Sequence, residues 1–233
     1  MPNRSLLWRV TGLAATAPLT LTLALTFAPV DSQAQVRRIL EDMGLVKKPE
    51  PPPTPPALAA SFQTPPFQGF ACCNLRYDGR WIGDRNYASL PLIPAGTPIE
   101  VVNYDRDKAN IRIEGRPMQI GQDYGRELES LANWVNKLVV KDDPRPRIKS
   151  YPPAVQEAIR EGKVTPGMTR EQAIVAIGYP LPDENISLDA PMWKIYYARR
   201  EPYELNFKAD GGIGSVTGDE SITSQVVYYP PTK

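Results

Sequence analysis

The sequence predicts an α+β fold in which two small folded regions follow an export leader and a proline-rich linker. Short apolar runs separated by turn residues between positions 93 and 120 predict a small antiparallel, barrel-like β-region. Apolar residues at helical spacing over 126–139 predict an amphipathic helix beside it. Between 152 and 217, two short helices precede three strand-like runs, and packing the helices on a three-stranded antiparallel meander would bury both apolar faces.

Residues 1–34 have the pattern of an export signal. Two arginines precede an uncharged apolar run over residues 10–30, and Ser32 and Ala34 supply the small side chains of a cleavage site. Cleavage after Ala34 is the preferred interpretation. An uncleaved membrane anchor is the alternative, since the apolar run is nearly long enough to span a bilayer. Either way the protein is expected in the periplasm or at the periplasmic face of the outer membrane.

Residues 35–70 are expected to form a short helix and a linker. Apolar side chains recur at helical spacing over residues 36–46, which predicts a short amphipathic helix. Eight prolines follow in residues 49–66, and such a composition is typical of an extended, semi-rigid spacer.

The only two cysteines, Cys72 and Cys73, are neighbours in the sequence. They follow the proline-rich segment rather than the apolar run, so a lipid anchor on Cys72 is not expected. Two interpretations stay open for an oxidising compartment. One is a strained, readily reducible disulfide between the neighbours. The other, which is preferred, is one buried thiol with the second cysteine pairing with another chain, or neither reacting.

Composition and charge exclude several classes of function. The chain of 233 residues has a formal net charge of +1, so a nucleic-acid partner held by bulk electrostatics is not expected. Histidine is absent, which removes the usual hydrolase triads, cysteine–histidine pairs and common zinc sites. No spacing of carboxylates or lysines indicates catalysis. We therefore expect no catalytic residue, no metal, no cofactor and no small-molecule substrate.

The first folded region is expected over residues 71–148. Residues 99–104 and 110–114 predict a hairpin around a turn at 105–108, and residues 116–120 predict a third strand. The helix predicted beside these strands presents one continuous apolar face, so it is expected to cover the strands or to connect them to the next region.

This region resembles the small bacterial SH3-like barrels. The resemblance lies in the turn Ile93-Pro94-Ala95-Gly96-Thr97-Pro98 directly before the strand over 99–104, and it covers residues 74–121. It implies binding of peptides or cell-wall fragments through surface aromatic side chains. For the aromatics of this segment, core packing is the preferred interpretation and a binding surface is the alternative. They are Tyr77, Trp81, Tyr87 and Tyr104.

The second folded region is expected over residues 149–220. A helix over 152–162 begins with prolines in its first turn and ends at a glycine. Three strand-like runs come later, the last two joined by a strong hairpin turn at 209–212. The runs are 193–199, 203–208 and 213–217.

A second short helix is predicted over residues 170–177. Thr169 and Gln172 have the spacing of a capping box, in which each side chain accepts a hydrogen bond from the other residue's backbone N–H. Gly178 is suited to closing the helix, and Pro180 cannot continue it. A helix this short is marginal alone, so it must pack against the strands that follow.

Four motifs follow one another in the second region: Gly167-Met168-Thr169 opens a helix, Gly178-Tyr179-Pro180 closes it, Trp193-Lys194-Ile195-Tyr196 begins a strand and Phe207-Lys208-Ala209-Asp210-Gly211 forms a hairpin. With these motifs, the order of elements resembles the SmpA/OmlA (BamE-like) family of bacterial envelope proteins. The resemblance covers about residues 153–218 and implies a small α/β binding domain at the outer membrane, an accessory of β-barrel assembly. Structural roles are expected for the motif residues: glycines supply backbone freedom, Thr169 caps, and Trp193 and Phe207 fill the core. The residues that carry the resemblance, with the capping partner, are Gly167, Met168, Thr169, Gln172, Gly178, Pro180, Trp193, Tyr196, Phe207 and Gly211.

We therefore expect a non-enzymatic cell-envelope protein that binds protein partners near the outer membrane. The tail over 221–233 carries an apolar run at 226–229, which is expected to add an edge strand or to contact a partner. Two other functions stay open. One is peptidoglycan binding through the SH3-like region, and the other is inhibition of a secreted enzyme.

Overall fold

A computed structural model describes residues 63–231 of the chain. These residues form a mixed α+β structure with a curled six-stranded sheet, a three-stranded antiparallel meander and five α-helices. The export signal, the helix at 36–46 and most of the proline-rich spacer lie outside the described residues. Among the helices of residues 63–231, none is both long and apolar enough to cross a membrane.

The six-stranded sheet has the order β3-β7-β6-β5-β1-β8, and its neighbours are antiparallel except for the parallel pair of β3 and β7. The predicted hairpin and third strand are confirmed as β5, β6 and β7. A separate two-stranded sheet pairs β2 with β4. The strands are β1 Phe67–Ala71, β2 Leu75–Arg76, β3 Trp81–Ile82, β4 Leu92–Ile93, β5 Pro98–Asp105, β6 Lys108–Ile113, β7 Arg116–Gly121 and β8 Val139–Val140.

The predicted linker over 35–70 ends in a strand. Strand β1 pairs with β5 on one side and with β8 on the other. Residues 67–70 of the predicted linker therefore belong to the sheet. In this strand Gly69 and Ala71 are buried, Phe67 and Phe70 are half-buried and Gln68 is exposed, so one face is buried more deeply than the other.

Helix α1, Leu131–Leu138, is shorter than the helix predicted over 126–139. Ser130 caps it by accepting a hydrogen bond from the Asn133 N–H at 3.2 Å. Residues Gly125–Glu127 form a separate 3-10 helix, and Val139 already belongs to strand β8. The apolar period is continuous through this segment, but the backbone is not helical throughout, and Leu128 is 59% exposed instead of buried.

The second region has the predicted elements. Helix α2, Arg145–Lys149, lies where no helix is predicted. Helices α3, Pro153–Glu161, and α4, Arg170–Ile177, have the expected bounds within a residue. The meander has the order β11-β10-β9, with Met192–Ala198 as β9, Glu201–Phe207 as β10 and Ile213–Gly218 as β11.

The tail differs from the prediction of an edge strand at 226–229. Asp219 caps a final helix α5, Glu220–Val226, by accepting a hydrogen bond from the Ser221 N–H. Val227 then makes a single parallel bridge to Val164, and the Tyr228 N–H donates to the Val164 carbonyl at 2.7 Å. A helix forms because the Asp219 side chain supplies its first turn with an acceptor.

Buried apolar side chains form two clusters that are in contact. The first cluster fills the six-stranded sheet and α1, and the second lies between α3, α4, α5 and the meander. Ile174 of α4 packs against both clusters, and Tyr179 packs against the first although it follows α4. The described residues, 63–231, accordingly belong to one compact unit.

Cys72 and Cys73 are joined by a disulfide, so the preferred interpretation of separate cysteines is wrong. Both residues are buried in the first cluster, directly after β1 and beside the second cluster. The Cys72 N–H donates to the Leu138 carbonyl at 2.9 Å, and the next residue, Asn74, donates its N–H to Val175 at 2.9 Å. The disulfide therefore lies in the segment that connects the two clusters.

Candidate functional site: an apolar groove

The four candidate aromatics of the first region do not form one exposed surface. All four side chains are partly buried, and Tyr77 and Tyr104 pack against the first cluster. The Trp81 ring covers Gly121, where a Cβ atom would collide with it, and its Nε1 donates to Asp123 at 3.1 Å. Burial raises the pKa of Tyr104, as expected for a phenol packed against apolar side chains.

Two of these aromatics share a small hollow. Trp81 and Tyr87 line a depression of about 130 Å³ together with Arg85 and Asp123. The Arg85 guanidinium and the Asp123 carboxylate form an ion pair at 3.2 Å. Tyr77 and Tyr104 do not line this hollow, so the predicted set of four is divided.

The motif residues of the second region have packing and backbone roles. In the capping box the Gln172 N–H donates to the Thr169 hydroxyl at 3.2 Å and the Thr169 N–H donates to Gln172 Oε1 at 3.0 Å. Trp193 is fully buried and meets Phe207 edge to face at 4.8 Å between ring centroids. Met168 is fully buried as well.

The remaining motif residues form turns or lie near the surface. Gly167, Gly178 and Gly211 have positive φ values of 86°, 79° and 83°, which a side chain would strain. The Tyr196 hydroxyl donates to Glu184 at 2.7 Å. Pro180 lines the groove described next, which gives this one motif residue a place in a candidate binding surface.

Residues 63–231 contain an apolar groove of about 670 Å³. Six large apolar side chains in this part of the chain are well exposed, and four of them line the groove. These four are Tyr124, Leu128, Ile186 and Leu188, with exposed fractions of 45%, 59%, 98% and 39%. Exposed apolar side chains are common singly, but their concentration at one groove indicates a binding surface.

The first wall of the groove is held by a buried carboxylate. Asp84 is completely buried and accepts backbone hydrogen bonds from Asp123 at 2.8 Å, Tyr124 at 3.0 Å and Gly125 at 2.7 Å. These bonds fix the backbone before the 3-10 helix, whose end carries Leu128. Trp134 closes the base of this wall and donates its Nε1 to the Gly121 carbonyl at 3.1 Å.

The second wall is the loop between α4 and β9, and a buried amide shapes it. Asn185 donates from Nδ2 to the carbonyls of Leu181 and Lys194 at 3.0 and 2.9 Å, and its Oδ1 accepts from the Lys194 N–H at 2.8 Å. The Leu188 carbonyl accepts from Trp193 Nε1 at 3.1 Å. The loop is thus fixed on both sides of Ile186, whose side chain extends into solvent.

Acidic side chains exceed basic ones around the groove. Its charged lining residues are Glu127, Glu129, Asp183 and Lys137, which gives a formal charge of −2. Lys137 pairs with Glu129 at 2.8 Å, and its ammonium lies 5.7 Å from the centre of the Tyr179 ring. Burial raises the pKa of Tyr179, with Glu129 adding to the rise, so this phenol stays neutral in the groove.

Sequence reasoning did not find this groove. The predicted helix over 126–139 places Leu128 on its continuous apolar face, and no helix or strand is predicted between 178 and 192. The available signal was the placement of Ile186 and Leu188 among polar residues in a segment without strand or helix periodicity. An isolated apolar residue in a loop does not show what lies opposite to it, and the other wall comes from residues about 60 positions earlier.

Residues 63–231 contain no group of three or more histidine, cysteine or acidic side chains arranged to hold a metal ion. Comparison with known proteins finds no matching family model, no matching curated protein and no matching solved structure.

Proposed function

We propose that this chain is a non-enzymatic protein-binding module of the bacterial cell envelope and that the apolar groove receives a segment of its partner. The observation that carries the proposal is the position of the exposed apolar side chains. Four of the six in residues 63–231 line one groove whose two walls are fixed by buried polar side chains. Rigid walls favour binding because little conformational entropy is lost when the partner is bound.

The exposure of Ile186 favours a protein over a small molecule as the occupant. This side chain is 98% exposed, so it stands out from the rim rather than forming the wall of an enclosed pocket. A small ligand lying in the groove would leave most of Ile186 in water, whereas a protein surface covers the groove and its rim together. Apolar side chains that a partner covers completely contribute much of the affinity in protein interfaces.

The envelope location is supported by the leader pattern of residues 1–34 and by the resemblance to the SmpA/OmlA (BamE-like) family. In the structure, α3 and α4 pack on the meander with the second cluster between them, in the element order that this resemblance implies. A BamE-like arrangement of this region is therefore part of the proposal. The partner would be an envelope protein at the periplasmic face of the outer membrane.

The proposal is tested by site-specific photo-crosslinking in the cells that make the protein. A photoreactive amino acid at position 186 or 128 should give the same discrete adduct, whereas one at Thr217, an exposed position on β11 outside the groove, should not. Mass spectrometry identifies the partner, which is then purified. Adducts of equal yield from all three positions, or from none, would contradict the proposal.

Binding to the purified partner supplies the quantitative test. Ile186→Ser and Leu128→Ser should each raise Kd about tenfold or more, because each removes an exposed apolar side chain that the partner would cover. Met192→Ser and Tyr229→Ser are matched controls, since both side chains are exposed and apolar but do not line the groove. If the controls weaken binding as much as the groove variants do, the groove is not the binding surface.

The second candidate function is peptidoglycan binding through the first region. One observation favours it: Trp81 and Tyr87 lie side by side with an arginine–aspartate pair in a hollow. In this case the protein should co-sediment with purified sacculi, and Trp81→Ala with Tyr87→Ala should abolish co-sedimentation. Variants of Leu128 and Ile186 should then have no effect.

A further inference from the structure

We infer that the segment bound in the groove carries a basic side chain between apolar ones. This inference rests on the proposed function and concerns the chemistry of the partner. Its basis is the charge left uncompensated at the groove: Glu127 and Asp183 are exposed acids, and neither forms an ion pair within residues 63–231.

The cations near the groove are already paired with other carboxylates. Lys137 pairs with Glu129 at 2.8 Å, and Arg126 pairs with Asp107 at 3.0 Å. On the opposite wall, Lys194 pairs with Glu184 at 3.0 Å.

Arg85 also lies beside the groove, with its guanidinium 5.3 Å from the centre of the Tyr124 ring, but it pairs with Asp123 at 3.2 Å. The protein therefore offers no free cation of its own to Glu127 and Asp183 from these neighbouring side chains.

The arrangement fits a lysine or arginine of the partner. The methylene stem of such a side chain can lie along Leu128 and Leu188 while its charged end reaches the carboxylates at the rim. An acidic segment would bring like charges together, which is unfavourable. The expected preference for a basic segment does not come from the net charge of the protein, because the whole chain has a formal charge of +1. The preference is local to the groove.

The experiment uses three labelled synthetic peptides with one common pattern of leucines. The polar positions are all lysine, all glutamine or all glutamate, and binding to the whole protein is followed by fluorescence anisotropy. At low salt the lysine peptide should bind about three- to tenfold more tightly than the glutamine peptide, and the glutamate peptide should bind most weakly. The difference should shrink as salt is added, since exposed charges are screened.

Two double variants assign the effect to named residues. Glu127→Gln with Asp183→Asn should make the lysine and glutamine peptides bind equally. Glu114→Gln with Glu201→Gln removes two exposed carboxylates outside the groove and should leave the preference unchanged. All four side chains are exposed, so both proteins should fold as the parent does.

The outcomes separate the inference from the proposed function. If the glutamine peptide binds as tightly as the lysine peptide and Ile186→Ser weakens both, the groove binds protein segments but the inference of a basic partner is wrong. If no peptide binds, or if binding is unaffected by Ile186→Ser and Leu128→Ser, the proposed function itself fails. Equal loss of the lysine preference in both double variants would show a non-specific charge effect and would also overturn the inference.

Discussion

At the scale of single residues, Asp84 holds the backbone of the first wall of the groove in place. Its carboxylate is completely buried and serves as the acceptor for three consecutive backbone N–H groups. An acceptor of this kind is costly to remove, because the freed donors stay buried without a partner. The position of Tyr124, which lines the groove, depends on these bonds.

Asp84→Asn should lower the free energy of unfolding by about 2–4 kcal/mol. The amide keeps the size of the side chain but replaces one acceptor oxygen with an NH₂ group, which faces a backbone donor. Urea denaturation measures the loss. Asp105→Asn is the control, since Asp105 is exposed and its Oδ2 lies 3.9 Å from Lys108 Nζ. This substitution should change the free energy of unfolding by about 0.5 kcal/mol or less. Equal effects of the two substitutions would contradict the assigned role.

Ionisation of Tyr203, in the second cluster, is expected to lower the stability of the fold at alkaline pH. It is buried, and its hydroxyl has no hydrogen-bond partner among the described residues. Burial raises the pKa of Tyr203, an effect that nearby Arg76 partly opposes. Because the folded-state pKa lies above the unfolded value of about 10, the folded protein is favoured fully below pH 10 and progressively less as the pH rises above it.

Tyr203→Phe should therefore keep or slightly raise stability at neutral pH and reduce its loss above pH 10. The loss due to this one group has a limiting slope of about 1.4 kcal/mol per pH unit. Urea denaturation at neutral and alkaline pH measures the difference. Tyr229→Phe, at an exposed position, should behave as the parent does. An alkaline loss as steep in Tyr203→Phe as in the parent would show that this phenol does not contribute.

At the scale of elements, the start of α4 shows what local sequence can specify. Thr169, Gln172 and Gly178 predict both ends of the helix, because capping depends on side chains within a few residues of each end. For α1, the apolar period predicts the end to within one residue but misses the start. Ser130 is a capping residue inside a segment whose apolar period continues on both sides, and periodicity alone cannot reveal that the backbone changes conformation there.

Thr169→Ala should lower the free energy of unfolding by about 1 kcal/mol, because it removes the acceptor for the Gln172 N–H. Thermal or urea denaturation measures the effect. Thr223→Ala is the matched control, since Thr223 lies within α5 and alanine has the higher helix propensity, so stability should be unchanged or slightly higher. A loss at position 223 equal to that at 169 would indicate a general effect of threonine removal rather than a cap.

At the scale of the whole molecule, the groove could not be predicted, because neither wall forms it alone. One wall contributes Tyr124 and Leu128 and the other Ile186 and Leu188, and they meet only because the two clusters pack together. The hairpin of β5 and β6, strand β7 and helix α4 could be predicted because they depend on residues close in sequence, whereas the pairs β1–β5, β1–β8 and β3–β7 could not. The relative position of the two clusters depends on contacts between residues far apart in sequence, which have no periodicity.

Asn74 is the clearest of these long-range contacts. It is buried and follows the disulfide directly. Its Nδ2 donates to the carbonyls of Ile159 at 2.6 Å and Ala176 at 2.8 Å, and its Oδ1 accepts from the Ala95 N–H at 2.9 Å. One side chain thus bonds α3, α4 and the turn before β5. Removing it takes the side-chain partner from the Ala176 carbonyl and the Ala95 N–H, whereas the Ile159 carbonyl still accepts from the Gly162 N–H.

Asn74→Ala should lower the free energy of unfolding by about 2–4 kcal/mol. Asn74→Asp should cost at least as much, because a carboxylate would face two carbonyl oxygens. Asn136→Ala, which removes one hydrogen bond within α1, should cost less than about 1 kcal/mol.

Native-state hydrogen exchange of Asn74→Ala then shows whether the Asn74 hydrogen bonds stabilise both clusters together or only the residues around Asn74. Since Ile174 and Tyr179 still connect the clusters, the amides of β6 and β10 should lose protection by equal amounts. If β10 loses protection while β6 keeps it, the clusters unfold independently, and the groove between them is not held by a single cooperative fold.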